Sequence, residues 1–268
     1  MMSLSEWTQN EFLTFFVVLV RTSILFSILP LFGDRVIPAP VKILLSLAVT
    51  VMLYPILVST GRINPADANI WASTASGLIG VIAIETIFAL AVGFSARIVF
   101  EAIQIGGDIA GNFMGFAAAS QYDPHAESQT QVISKLNSTL GMLIFLAIDG
   151  HHIMLRAALD SFAVVGLGQA NFGAAFGERL MGVTSQVVKL GLQFAAPMAV
   201  AFFGVNLVYG IISKAMPQLN ILVLSFSVSA AVGLVLLVLC LPEFQSLTTT
   251  LFEDMGNEMG RMMQSMAK

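Results

Sequence analysis

Gly106-Gly-Asp-Ile-Ala-Gly-Asn-Phe-Met-Gly-Phe-Ala-Ala-Ala-Ser-Gln-Tyr-Asp-Pro124 is the stretch around which the rest of the chain is organised. Gly107, Gly111 and Gly115, followed by Ala119, recur at every fourth residue, so a helix here carries one smooth face that another backbone can approach closely. Phe113, Met114 and Phe116 crowd around that face. Ser120 to Pro124 then supplies turn chemistry that ends the helix and releases a loop. Two readings fit. A glycine-jointed segment bearing two aromatics and a methionine can close a passage by packing into it, and a small-residue face followed by a connector is also ordinary helix packing in membranes.

The setting is very apolar. Of 268 residues, 57% are hydrophobic and 10% charged, and the mean hydropathy is +0.87. Soluble domains carry about 25% charged residues, so the composition predicts an integral membrane protein. A net charge of −4 without a basic cluster excludes nucleic acid as a partner. The single cysteine, Cys240, can form no internal disulfide. The acidic N-terminal residues before the first apolar run do not fit a cleavable signal peptide, and that run is expected to stay in the mature protein.

Apolar runs recur along the chain and predict five to eight helices, an all-α fold. Phe12–Leu29 contains Arg21, and Ile70–Val92 contains Glu85; a charge in such a run is costly against lipid and predicts a protein or water contact. Lys189 lies in similar surroundings at the start of Val188–Ile212, which Pro197 is expected to kink. Arg97, Glu101, Gln104 and Asp108 give Ser95–Ala119 a polar face. Asp123–Ser134 reads as a polar loop and Gly166–Gly177 as irregular chain. Met216, Pro217, Gln218 and Asn220 lie between the last two long runs, where Pro217 fixes a tight helical hairpin and Gln218 and Asn220 can bond free backbone groups. Past Pro242, Leu247, Leu251, Met255, Met259, Met262 and Met266 follow at three- and four-residue steps. They predict an amphipathic tail that either caps its own bundle or docks on a partner.

Candidate chemistry is sparse. Asp149, His151, His152 and Asp160 form the one cluster resembling a metal or catalytic site, but adjacent histidines on a regular helix point about 100° apart and do not share an ion as an i, i+4 pair does. The chain has no His-Glu-x-x-His, no Gly-x-Ser-x-Gly and no phosphate-binding loop of the Walker type. Nothing here predicts an enzyme or a cofactor. Arg21, Glu85 and Lys189 could serve a small-solute transporter as a coupled charge set, although the paired broken helices of two matching halves are missing from the sequence.

Taken in order, an early apolar pair, the Gly106–Gly115 helix, the Gly115-Phe-Ala-Ala-Ala-Ser-Gln-Tyr-Asp-Pro124 loop, Asp149-Gly-His-His and Met216-Pro-Gln-Leu-Asn before the last long run resemble the FliR/SctT family of type III secretion export-gate proteins over essentially the whole length. Asp149 stands where members of that family often carry asparagine. The resemblance implies a single domain over 1–268 whose first part, to about 185, is arranged like the FliP subunit, with a FliQ-like hairpin and amphipathic tail over about 186–268. It implies that the 106–124 segment plugs the pore, through Phe113, Met114, Gly115, Phe116 and Tyr122, while Gly107, Gly111 and Gly115 serve close packing. The implied partners are FliP-like and FliQ-like subunits in a hetero-oligomer, an FlhB-like protein, unfolded export substrates and membrane lipid. The implied place is the bacterial inner membrane at the flagellar basal body, with a virulence injectisome as the alternative setting.

Overall fold

The computed structural model describes residues 8–28, 38–114, 127–216, 218 and 221–267. Helices dominate, and no strand occurs among the described residues. In chain order they are α1 (Gln9–Ile28), α2 (Ala39–Ser59), the one-turn α3 (Ala68–Trp71), α4 (Ala75–Phe113), α5 (Glu127–Ala147), α6 (Gly150–Val164), α7 (Ala174–Ala215) and α8 (Ile221–Ser265). Five of them, α1, α2, α4, α7 and the Ser227–Ser265 part of α8, are long and apolar enough to cross a membrane; Val132–Ala147 and Gly150–Val164 of α5 and α6 reach that length only when taken together across their break. The chain is an all-α membrane protein.

Local rules place most of the ends. Pro38 precedes α2, whose first turn holds Pro40, where a missing N–H costs nothing. Asn64 accepts a hydrogen bond from the Ala66 N–H and starts the 3₁₀ turn Pro65–Asp67. Two stretches are more continuous than their sequence patterns suggest. Pro242 lies inside α8, so the last apolar run and the methionine tail form one helix of 45 residues. A proline removes only the bond to the carbonyl four residues back, and helix bonds on either side carry the chain through. The segment from Glu127, expected as loop, is already helical because Glu and Gln favour helices as readily as loops.

The chain forms two compact units, each discontinuous in sequence: Met1–Arg97 with Asp149–Val183 and Asp254–Lys268, and Ile98–Ile148 with Thr184–Glu253. In the first unit α1 and α2 pack through Val18, Tyr54 and Leu57, joined by Ile63 and Phe162. Thr22 and Thr50 bond each other through their hydroxyls at 2.6 Å across the same helix pair. The tail methionines belong to this unit. Met255, Met259, Met262, Met263 and Met266 are all buried inside the chain, and the Met266 carbonyl accepts from the Asn171 N–H at 2.9 Å. Of the two readings of the tail, capping its own bundle is the one observed. Arg179 reinforces it through an ion pair with Glu258, which also accepts from Arg261.

In the second unit an aromatic triad of Phe100, Phe145 and Phe252, with centroids 4.7–5.3 Å apart, joins α4, α5 and α8. A second cluster gathers Ala110, Met114, Ile133, Met198 and Phe202.

Candidate functional site

The glycine-rich end of α4 is held inside the second unit. A Cβ placed on Gly107 would lie 2.5 Å from Ser134 Cα and 3.1 Å from its backbone nitrogen, so α4 and α5 touch backbone to backbone. One residue earlier Gly106 makes an equally close approach to α7, against the Phe194 Cβ and the Gly191 carbonyl. Gly191 in turn leaves room for Ile105. Gly106 and Gly191 were not among the expected packing positions, because an every-fourth-residue stripe describes one neighbour and α4 has two here. Gly111 is buried on the same helix. Gly115, the third glycine of the stripe, lies outside the described residues.

Met114 differs from expectation. It does not project from the helix end as a sealing side chain; it is fully buried in the second unit's core, against the space left by Gly233 of α8. A flexible thioether fills such a hollow readily. Phe113 beside it is 38% exposed. The end of α4 is thus anchored by Met114 and presents Phe113 outward. Phe116 and Tyr122 lie outside the described residues.

The charged residues of the apolar runs are resolved differently from one another. Arg21 on α1 and Glu85 on α4 form an ion pair with neither side chain exposed. Arg21 Nε and Nη2 both donate to the carboxylate, the latter at 2.9 Å. Its Nη1 donates to the carbonyls of Ser161 and Val165 at 3.2 and 3.0 Å, and Nη2 also to Gly166 at 3.4 Å. These five bonds use all five guanidinium N–H groups. Glu85 accepts a further bond from the Gly168 N–H at 2.7 Å, where φ of +70° favours glycine. Phe88 and Phe162 lie against the guanidinium, with centroids 4.4 and 4.5 Å away. Four segments of the first unit converge on one arginine, which leaves no N–H to receive a solute. Lys189 departs from the expectation of a buried charge: it is exposed on α7, in the second unit. A long lysine stem can lie along an apolar helix while its ammonium stays at the surface.

At the hairpin, the Met216 N–H closes α7 on the Ile212 carbonyl at 2.8 Å, and both Met216 and Gln218 are exposed. Pro217 and Asn220 lie outside the described residues. The two arms meet near the turn where Tyr209 Oη lies 3.3 Å from the Ser225 carbonyl and 3.3 Å from Ser229 Oγ.

Asp149, His151 and His152 do come together. Asp149 takes a left-handed conformation, φ 57°, between α5 and α6, and its carboxylate makes no cap bond to α6. It lies 3.4 Å from His152 Nδ1 and 4.0 Å from His151 Nε2. The three ligand atoms lie within 4.8 Å of one another.

This framework has relatives. Residues 12–255 match the family described as bacterial export proteins, family 1. The flagellar biosynthetic protein FliR of Pectobacterium carotovorum subsp. carotovorum is 29% identical over 255 residues, covering 95% of this chain and 94% of that protein. Those of Bacillus subtilis and Escherichia coli K12 are 27% and 26% identical, covering 86% and 91% of this chain and 86% and 90% of their own lengths. None of these descriptions is that of an enzyme. With the match running from α1 into the last helix, the chain belongs to the bacterial export proteins, family 1.

Proposed function

We propose that this chain is a core subunit of a flagellar type III export gate, forming with FliP-like and FliQ-like proteins the channel through which unfolded subunits leave the cytoplasm. The segment after Met114 plugs that channel. The carrying observation is the end of α4: two backbone-close helix contacts at Gly106 and Gly107 and the buried Met114 fix its position, while Phe113 is left facing out. A plug needs that combination of a rigid root and an apolar tip.

Two further features support an assembly. Ile43, Leu44 and Met52 on α2, Val200, Phe203 and Ile211 on α7, and Val238 and Leu239 on α8 are all more than half exposed in the chain by itself. Such surfaces need lipid or neighbouring subunits. Helices α4, α7 and α8 run to 39, 42 and 45 residues; at 1.5 Å per residue each is about 60 Å or longer, roughly twice a bilayer core. An assembly that extends beyond the membrane accommodates that length, and an isolated bundle does not. On this reading the part to about residue 185 is the FliP-like half, the α7–α8 hairpin is FliQ-like, an FlhB-like protein is the outer partner, and the site is the inner membrane at the basal body.

The test is the Phe113→Ala, Phe116→Ala double variant, expressed with its partners in cells. The gate is expected to assemble in wild-type yield and to leak protons and sodium ions well above the wild-type rate. Normal assembly with wild-type ion tightness would remove the plug role.

A further inference from the structure

We propose that Asp149, His151 and His152 form a binding site for a divalent transition-metal ion of the zinc type, at the break between α5 and α6. Imidazole nitrogens and a carboxylate oxygen are the donors such ions take, at about 2.0–2.2 Å, so tetrahedral ligand atoms sit roughly 3.3–3.5 Å apart. The Asp149–His152 separation of 3.4 Å already has that value, and the 4.0 Å to His151 needs a small closure.

Side-chain placement brings the two adjacent histidines together here. In the middle of a helix their side chains diverge by about 100°. His151 and His152 lie in the opening turn of α6, where that divergence still holds, and their side chains nonetheless bring the rings against each other at 4.2 Å between centroids and 36° between planes. The left-handed Asp149 turns its own carboxylate onto the same pair instead of capping the helix. A non-glycine residue at positive φ carries strain, which persists where something gains from it; Asp149 is the one such residue among the described residues.

Mobility and access suit ion capture. The Asp149 and His152 side chains are 72% and 63% exposed and can adjust to close on an ion, whereas His151 is half as exposed and more fixed. Three protein donors leave at least one position for water or for a group from a neighbouring molecule. The positive end of α6 opposes a cation, but by an amount of order 1 kcal/mol, small beside imidazole and carboxylate coordination. The ion would tie the end of the α5–α6 connection to the first turn of α6 and so stiffen the break.

Zinc(II) is the probe. The full chain in its detergent-solubilised complex, purified without a histidine tag, is titrated by calorimetry at neutral pH and assayed for metal content after dialysis. One equivalent per chain is expected, with Asp149→Asn and His152→Ala each weakening binding by about tenfold or more. The chain's third histidine, His125, provides the control: His125→Ala is expected to leave binding unchanged. Exposure of Asp149 and His152 means these variants fold, and the yield of intact complex checks it. Absence of stoichiometric binding, binding unaltered by both Asp149→Asn and His152→Ala, or binding lost with His125→Ala would each overturn the site.

Discussion

Glu85→Ala is expected to remove most of the protein from the membrane, and to lower the stability of what remains by about 3–5 kcal/mol, because it leaves the Arg21 guanidinium buried without its counter-charge. Arg21 cannot turn to water: it is fully buried between Phe88 and Phe162, and its other N–H groups are tied to Ser161, Val165 and Gly166. Glu85→Gln keeps the shape and one acceptor oxygen and is expected to fall between alanine and wild type. The double variant Arg21→Met, Glu85→Leu separates charge from architecture. It removes both charges together and so regains part of the loss, but the Val165 carbonyl and the Gly168 N–H then lose these bonds, at about 1–3 kcal/mol each when buried, while the Ser161 and Gly166 carbonyls keep their bonds from the Val165 and Gln169 N–H groups. Membrane-fraction levels and thermal unfolding in detergent read the series. A Glu85→Ala variant as abundant and as stable as wild type would show that the pair does not hold the first unit together.

Gly107→Ala is the second large effect, and it acts against helix propensity. Alanine in a helix interior is worth about 1 kcal/mol over glycine, so propensity alone predicts stabilisation. At Gly107 the added methyl meets the Ser134 backbone at 2.5 Å, and backbone cannot swing aside as a side-chain tip can. Helices α4 and α5 must separate locally, at a cost of roughly 1–3 kcal/mol, and the root of the α4 end loosens. Gly204→Ala, at an α7 position where a Cβ meets nothing within 4 Å of its own chain, is the matched control and is expected to leave the chain's own stability unchanged or slightly raised. Unfolding midpoints of the two variants in detergent decide the matter. Equal midpoints would mean that the close α4–α5 contact carries no energy.

How much of this was legible beforehand depends on the range of the interaction. Charge content and run length are summed over the whole chain, so the all-α membrane class could be read directly. That Arg21 and Glu85 need partners follows from the cost of charge among apolar residues. That they partner each other does not, since 64 residues separate them and three of the five bonds from Arg21 go to backbone carbonyls at residues 161–166. Lys189 looked the same in sequence and is exposed, because the local pattern does not say which side of a helix meets a carboxylate. Gly107 was visible in its four-residue stripe, and Gly106 was not, since its neighbour Gly191 is 85 residues away and belongs to no repeat. Adjacent histidines diverge under helix geometry, and neither the side-chain placement that stacks their rings nor the left-handed turn of Asp149 beside them gives a periodic signal. The last apolar run and the amphipathic stretch past Pro242 read as two patterns in the sequence and form one helix in the structure, because helix bonds before and after a proline carry the chain through.

The most direct measurement of the central claim is co-expression of this chain with the FliP-like and FliQ-like proteins of the same source, followed by detergent extraction through a tag on this chain and native mass spectrometry. The account predicts one defined complex containing all three proteins at a fixed stoichiometry. Recovery of this chain by itself, folded and free of both partners, would contradict it.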